Sequence, residues 1–363
     1  MKLLLTGGTG SVGVEFLRQA LAHRTYDEIG VVVRADTDTA LGARRQTLLR
    51  DVGIGAKSQA AATLRLLRGE LTTERLALAD ADAAWVGAEA THIMHAAALT
   101  DFNADLRLAR QVNVDGLRHV LTLARGARRL QALAHVSTLY VAGRRTGTVG
   151  EDDLDHDAGF VNPYEQSKYE AEQYIRTQCV DLPIATYRLS LLMGRASDGY
   201  VHRTLEAHKM FELFLSGRAT RIPGAPANTL DMLPTDYAAQ VLHTLFARHF
   251  VAGETVQISA GHRAATGADL VESCRRVLGT PEWDVEWIDE CEWAQLRAAD
   301  GADQLSPAAF WMFDVVADYL FLSKHFVRDR VDARLGAAAT APAAPDYLPR
   351  IVEARMACNW GRA

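Results

Sequence analysis

Short apolar runs without polar alternation recur through the first half of the sequence. The first run is Leu3–Leu5, and later runs lie at Ile29–Val33, Leu64–Leu67, Thr91–His95 and Ala132–Val136. Apolar runs of this length are typical of strands that are buried on both faces of a sheet. Helical patterns lie between them, so the alternation predicts parallel strands covered by helices on both sides.

The pattern is less regular in the second half. Leu182–Leu189 and Thr255–Ser259 are expected to be further strands, and Asp105–Arg125 is a long helical pattern before them. Val201–Ser216 also has helical spacing. Phe310–Leu322 is the most apolar stretch of the chain. It is interpreted first as a core helix of a small cap, and second as a wall of a hydrophobic substrate channel.

These elements predict an α/β fold with a Rossmann-type, doubly wound parallel sheet and a smaller, mostly helical C-terminal substrate-binding region. We expect residues 1–190 to form the dinucleotide-binding domain, completed by about 228–262. Residues 191–227 and 263–363 are then the substrate-binding cap. Right-handed crossovers bring the carboxyl ends of all strands to one edge, where the ligand binds.

Composition and charge narrow the class of protein. The chain has 363 residues, 48% hydrophobic content and a net charge of −6, which give no sign of nucleic-acid binding. Lys2 leads directly into the first strand, so no signal peptide is expected, and no apolar run approaches the roughly 20 residues of a membrane span. The four cysteines lack metal-ligand spacing, so we expect reduced thiols, no metal site and a cytoplasmic protein.

Three glycines follow the first strand and precede an amphipathic helical pattern. A turn of this kind favours a dinucleotide site, because glycine lets a pyrophosphate approach the backbone and the helix N-terminus offers free N–H groups. A tight turn with close strand–helix packing is the alternative explanation. The residues expected to contact the cofactor here are Gly7, Thr9, Gly10, Ser11, Val12 and Gly13.

The end of the second strand bears on the choice between NADPH and NADH. Arg34 follows this strand, where an arginine accommodates the 2′-phosphate of NADPH. Arg44 or Arg45 can reach back from the next segment, whereas Asp36 leaves a lesser case for NADH. The sequence therefore favours NADPH. Further cofactor contacts are expected at the later strand ends and on the long helix: Glu70, Leu71, Ala96, Ala97 and Asn113.

A tyrosine and a lysine four residues apart suggest a reaction. Tyr164 and Lys168 share one face of a helix, and the ammonium is expected to lower the pKa of the phenol from about 10. Thr138, at the end of the fifth strand, is expected to hold the substrate oxygen, with Ser137 as the alternative. An exposed pair without function has the same spacing. Beside the glycine motif, however, Thr138, Tyr164 and Lys168 are the predicted catalytic residues.

Together these motifs resemble the extended short-chain dehydrogenase/reductases. They are most similar to the thioester-reductase and fatty-acyl reductase branch, the male sterility NAD-binding group. The likeness covers about residues 1–260, and Glu70 departs from it because the branch usually has Asp there. The resemblance implies that Leu189 lies beside the nicotinamide, and it favours Thr138 over Ser137. The finer match lies in five segments: Val32–Ala35, Gly69–Thr72, Ile93–Ala98, Val136–Val141 and Asn162–Lys168.

This resemblance implies an NADPH-dependent reductase of a carbonyl-type substrate. The first expectation is an acyl thioester, on CoA or on an acyl carrier protein, reduced to an aldehyde or alcohol. A sugar-nucleotide epimerase or dehydratase that uses NAD is the alternative, with arginines in residues 195–221 as its basic groups, although Arg34 counts against it. A non-catalytic dinucleotide sensor is the third, and the presence of both Tyr164 and Lys168 counts against that. The sequence does not indicate an oligomeric state.

Overall fold

The computed structural model describes residues 1–203, 208, 221–279, 284–298, 314 and 316–358. Its centre is a seven-stranded sheet in which every neighbouring pair is parallel. The strands are β1 Lys2–Thr6, β2 Glu28–Val33, β3 Leu64–Arg68, β4 His92–His95, β5 Ala132–Thr138, β6 Ile184–Leu189 and β7 Thr255–Ile258. The predicted strands and the Rossmann-type fold are confirmed. Their spatial order, β7-β6-β5-β4-β1-β2-β3, has a switch point between β1 and β4, where such sheets bind ligands.

Helices pack on both faces of this sheet. They are α1 Ser11–Ala22, α2 Asp38–Val52, α3 Gln59–Thr63, α4 Asp80–Glu89, α5 Leu106–Arg110, α6 Gly116–Gly126, α7 Pro163–Gln178, α8 Thr235–Arg248, α9 Gly267–Leu278, α10 Glu290–Ala298, α11 Asp329–Leu335 and α12 Ala344–Ala357. Strand β1 shows why its sequence lacks polar alternation. Leu3 and Leu5 pack into one cluster with Phe16 of α1, and Leu4 packs into another with Leu117 of α6. Both faces are therefore apolar, and each buried leucine contributes about 1.5–3 kcal/mol.

The predicted helix Asp105–Arg125 contains an irregularity. A π-helical turn, Gln111–Asp115, lies between α5 and α6. A 3.6-residue apolar pattern does not distinguish one wider turn from a regular one, so this turn could not be predicted. The turn carries the buried Asn113, and such turns are frequent at functional sites.

A second hydrophobic cluster gathers the later parts of the chain. Its members include Leu230, Val271, Trp293, Leu320 and Leu348. Short parallel strands join this part to the sheet domain, because Gly147–Val149 pairs with Lys324–Phe326. Parts of two predicted helices, Val201–Ser216 and Phe310–Leu322, lie outside the described residues. Within the described part of the chain, no helix is long and apolar enough to cross a membrane.

Candidate active site

The glycine turn after β1 is built on close backbone approaches. Gly7 has a φ of +77°, and a Cβ there would come within 2.5 Å of the Ala96 backbone. A Cβ on Gly13 would collide with the Gly7 carbonyl oxygen. Gly10 caps α1 without a side-chain hydrogen bond, and a Cβ there would meet only the Gly7 oxygen, at 3.3 Å. The N–H groups of the first turn of α1 are therefore open to an anionic ligand, as a bound pyrophosphate requires.

Two glycine substitutions are expected to have different consequences. Gly13→Ala places a methyl group against backbone, so it is expected to lower the free energy of unfolding by about 1–3 kcal/mol or more. Gly10→Ala has room for its methyl group within the fold but places it in the cofactor cavity, so it is expected to weaken NADPH binding at near-normal stability. Thermal unfolding and NADPH titration of both variants measure this. A Gly13→Ala protein as stable as wild type would contradict the packing explanation.

A cavity of about 280 Å³ extends from the glycine turn to the carboxyl ends of β4, β5 and β6. It brings together most of the residues that were predicted for the cofactor and for catalysis. Its lining includes Gly7, Gly10, Ser11, Val12, Gly13, Ala96, Thr138, Tyr164, Lys168 and Leu189. One continuous space therefore contacts both the proposed pyrophosphate cradle and the Tyr164 phenol.

Other predicted residues do not line this cavity: Thr9, Arg34, Arg44, Glu70, Leu71, Ala97 and Asn113. Asn113 instead joins two parts of the scaffold. Its Oδ1 accepts from the Leu99 N–H at 2.8 Å, and its Nδ2 donates to the Leu99 carbonyl at 3.0 Å and to Ser167 Oγ at 2.9 Å. This amide ties the segment after β4 to α7, the helix that carries Tyr164 and Lys168. Glu70 accepts from the backbone N–H and the hydroxyl of Thr72, both at 3.2 Å.

The two arginines predicted for the 2′-phosphate are exposed. Arg34 follows β2, and Arg44 lies on α2. Among the described residues, neither forms an ion pair closer than 4.0 Å. Arg68 at the end of β3 differs, because it lies 3.6 Å from Asp38. Arg34 and Arg44 are thus available to an anionic group that binds beside the end of β2.

The hydroxyls of Ser137 and Thr138 have different partners. Ser137 Oγ donates to Glu172 Oε1 at 2.5 Å, and Glu172 forms a buried ion pair with Arg188 at 2.8 Å. The Thr138 hydroxyl accepts from the Tyr140 N–H at 3.2 Å, and its interaction with the Tyr164 phenol lowers the pKa of that phenol. Ser137 is therefore engaged in the scaffold, and Thr138 is the hydroxyl that meets the phenol in the cavity.

The pKa of Tyr164 is raised, whereas the sequence predicted that Lys168 would lower it. Burial raises this pKa to about 12, although the interaction with Thr138 lowers it in part. Lys168 is not among the causes of this shift, and its Nζ donates to the Val136 carbonyl at 2.7 Å and contacts His135 Nε2 at 3.2 Å. Burial also lowers the pKa of Lys168 to about 8. At neutral pH the phenol therefore keeps its proton and is suited to donate it.

Several residues of the cavity were not assigned a role from the sequence. Phe102, Tyr140, His202 and Tyr319 all contribute to the lining. Phe102 and Tyr140 lie within or beside the segments that carry the family resemblance, so that signal could have found them. Tyr319 lies in the apolar stretch Phe310–Leu322, for which a substrate-channel wall was the second interpretation, but that pattern did not single out this residue. Across the described ranges, no cluster of three or more His, Cys, Asp or Glu residues is arranged to hold a metal ion.

Comparisons to known proteins agree with the fold. An NAD-binding family model described as "Male sterility protein" matches residues 5–242. An isonitrile lipopeptide synthase of Streptomyces coeruleorubidus is 27% identical over 315 residues, which cover 83% of this chain and 20% of the synthase. The fatty acyl-CoA reductase wat of Drosophila melanogaster is 22% identical over 220 residues, covering 53% of this chain and 43% of the reductase.

A solved structure shares the fold over almost the whole chain. The terminal R domain from the myxalamid PKS-NRPS biosynthetic pathway superposes with a TM-score of 0.81 at 20% identity, covering 99% of this chain and 91% of that domain. The curated relatives are longer proteins, and the chain spans about a fifth of the lipopeptide synthase that it matches.

Proposed function

The chain belongs to the male sterility protein family of NAD(P)-dependent oxidoreductases, which have the extended short-chain dehydrogenase/reductase fold, and from this premise we propose that it is an NADPH-dependent acyl-thioester reductase. The substrate is carried on CoA or on an acyl carrier protein, and the product is an aldehyde or an alcohol. The observation that carries the proposal is the grouping of Thr138, Tyr164 and Lys168 around the cavity that begins at the glycine turn.

The residues of this cavity suit a nicotinamide dinucleotide. The uncapped first turn of α1 and the cradle of Gly7, Gly10 and Gly13 would hold the pyrophosphate, and Lys168 would hold the nicotinamide ribose. When bound, the nicotinamide supplies the hydride that the carbonyl carbon accepts. Tyr164 donates its proton to the developing oxyanion, and Thr138 holds the same oxygen by a hydrogen bond. The C–S bond of the resulting hemithioacetal then breaks, which releases the aldehyde and the free thiol of CoA or of the carrier.

An acyl thioester fits the cavity better than a sugar nucleotide does. Beyond the catalytic residues, most of the lining is aromatic or aliphatic: Phe102, Tyr140, Leu191, Leu192, Leu230, Val316, Tyr319 and Leu320. Apolar walls of this kind suit an acyl chain. His202, Arg203 and His208 also line the cavity and are the groups that a nucleoside diphosphate would need. The names of the relatives, a lipopeptide synthase and a fatty acyl-CoA reductase, support the same class. We further propose that residues 191–227 and 263–363 form the substrate-binding region.

NADPH is proposed over NADH because of Arg34 and Arg44. Arg34→Ala is expected to weaken NADPH binding by roughly 10- to 100-fold, since a charge-assisted hydrogen bond to a phosphate is lost. NADH binding is expected to stay within about twofold of wild type. Equilibrium titration with both cofactors measures the difference, and Arg107→Ala, an exposed arginine on α5, is the matched control. Equal losses of affinity for NADPH and NADH would mean that Arg34 does not bind the 2′-phosphate.

The proposed reaction is tested by NADPH oxidation against a panel of acyl-CoAs, aldehydes and UDP-sugars, with identification of each product. We expect turnover of acyl-CoAs, with an aldehyde or alcohol as product. Protein purified with bound NAD⁺ that converts a UDP-sugar would instead support an epimerase or dehydratase. Absence of turnover across the panel would support a non-catalytic sensor of the dinucleotide.

A further inference from the structure

One residue of the active-site wall comes from the C-terminal part of the chain. Tyr319 lies in a helical segment, residues 316–321, outside the 5–242 range of the family match. Its side chain is 7% exposed and lines the cavity together with Tyr164. The reaction proposed above uses no atom of Tyr319, so its place beside the phenol calls for a different role.

Two hydrogen bonds fix the Tyr319 hydroxyl to the first turn of α7. It donates to Glu165 Oε1 at 2.6 Å and accepts from Asn162 Nδ2 at 2.7 Å. Both partners are themselves held: Asn162 Oδ1 caps α7 by accepting from the Glu165 N–H, and Glu165 Oε2 accepts from the Val161 N–H. Because Glu165 directly follows Tyr164, the position of Tyr319 is fixed relative to the catalytic phenol.

Aromatic packing holds the ring of Tyr319 from its sides. The Tyr140 ring meets it edge-on with centroids 5.0 Å apart, and the Phe102 centroid lies 5.9 Å away. Phe102 also stacks on Tyr164 with centroids 5.9 Å apart, so it lies between the two tyrosines. Phe102 therefore links Tyr319 to Tyr164. Close packing leaves these side chains little freedom to move.

The segment that carries Tyr319 is anchored at its other residues. Asp318 pairs with Arg144 at 2.6 Å, and Asn228 Nδ2 donates to the Leu320 carbonyl at 2.9 Å. Val316 and Leu320 add aliphatic surface to the same wall. A wall that is held at so many points excludes groups that are too large for it, because it cannot move aside to admit them.

We propose that Tyr319 is a specificity-determining residue, which sets the size of the acyl group that this chain accepts. This inference rests on the proposed thioester reductase function. The acyl group of a thioester whose carbonyl oxygen lies at Tyr164 and Thr138 extends into the space bounded by Phe102 and Tyr319. Straight, narrow acyl groups are accepted there, and branched or aromatic ones are excluded by contact with the Tyr319 ring.

The test compares wild type with Tyr319→Ala and Tyr319→Phe, using kcat/KM for straight-chain, branched and aromatic acyl-CoAs. In Tyr319→Ala the ratio of bulky to straight-chain kcat/KM is expected to rise by about tenfold or more, as hydrophobic pockets discriminate on this scale. Tyr319→Phe loses the hydrogen bonds to Glu165 and Asn162 but retains the ring, which Phe102 and Tyr140 still hold, so it is expected to keep most of the wild-type preference. Dissociation constants of S-alkyl-CoA thioethers, which cannot be reduced, are expected to shift in the same order and provide a readout without turnover.

An unchanged preference in a folded Tyr319→Ala protein would overturn the inference, and so would an equal shift in Tyr319→Phe. If Tyr319→Ala does not fold, Tyr319→Leu provides the same comparison with less loss of packing. The proposed function fails separately, because wild type would then reduce no acyl-CoA, whereas failure of the Tyr319 role leaves wild-type turnover intact.

Discussion

Tyr164→Phe is expected to lower kcat for thioester reduction by a factor on the order of 10²–10⁴ while NADPH affinity stays within about twofold of wild type. The variant loses only the hydroxyl, which interacts with Thr138 in the cavity. Burial raises the pKa of this phenol to about 12, so in wild type it carries its proton at neutral pH. The substitution therefore removes the proton donor for the oxyanion and leaves the glycine cradle unchanged.

Tyr169→Phe is the matched control for this substitution. Tyr169 lies on the same helix, is 9% exposed and does not line the cavity; its hydroxyl accepts from Gln173 Nε2 at 2.8 Å. It is expected to retain wild-type kcat. Steady-state kinetics together with NADPH titration separate the two variants. Substantial turnover in a folded Tyr164→Phe protein would mean that another group donates the proton.

Lys168→Met is expected to lower kcat/KM by a factor on the order of 10²–10³, comparable to removal of one oriented donor from an active site. Lys168 is 2% exposed, and its ammonium donates to the Val136 carbonyl at 2.7 Å. The charge is therefore held in place where Lys168 lines the cavity. Lys57→Met changes an exposed lysine and is the control. Unlike Tyr164→Phe, Lys168→Met is expected to weaken NADPH binding as well.

The pH profile provides a second readout for Lys168. Burial lowers its pKa to about 8, although the Glu172 carboxylate raises it in part. His135 stays neutral, since burial holds its pKa well below the ordinary value. The ammonium is therefore charged below about pH 8 and loses its charge as the pH rises through that value. Wild-type kcat/KM is expected to fall over this range, and the fall is expected to be absent in Lys168→Met. A flat wild-type profile across pH 8 would contradict the role of the charge.

The sheet could be predicted from the sequence because its signal is local. Runs such as Leu3–Leu5 are apolar on both faces, and the structure buries them between two helical layers. The π-helical turn at Gln111–Asp115 could not be predicted, because it changes the hydrogen bonding of one turn and leaves the apolar pattern intact. The glycine turn after β1 could be predicted in the same way. Gly7 and Gly13 approach neighbouring backbone so closely that no larger residue fits.

The details of the site depend on contacts between distant residues. The structural distinction between Ser137 and Thr138 follows from Glu172, which lies 35 residues further along the chain and accepts a hydrogen bond from the Ser137 hydroxyl. The pKa of Tyr164 follows from burial, which a four-residue spacing to Lys168 does not reveal. Tyr319 contacts Glu165 across 154 residues, and the apolar pattern of Phe310–Leu322 indicated a core helix or a channel wall without showing this contact. Spacing indicated the residues that we propose to react, whereas their partners could be found only from the fold.

The most direct test of the central claim follows the hydride. Wild-type protein is supplied with an acyl-CoA and NADPH dideuterated at carbon 4 of the nicotinamide, and the product is analysed by mass spectrometry. We predict that the former thioester carbon of the aldehyde or alcohol carries deuterium, and that Tyr164→Phe yields little labelled product in the same time. Oxidation of NADPH with no deuterium in the product, or no oxidation with any acyl-CoA, would contradict the account.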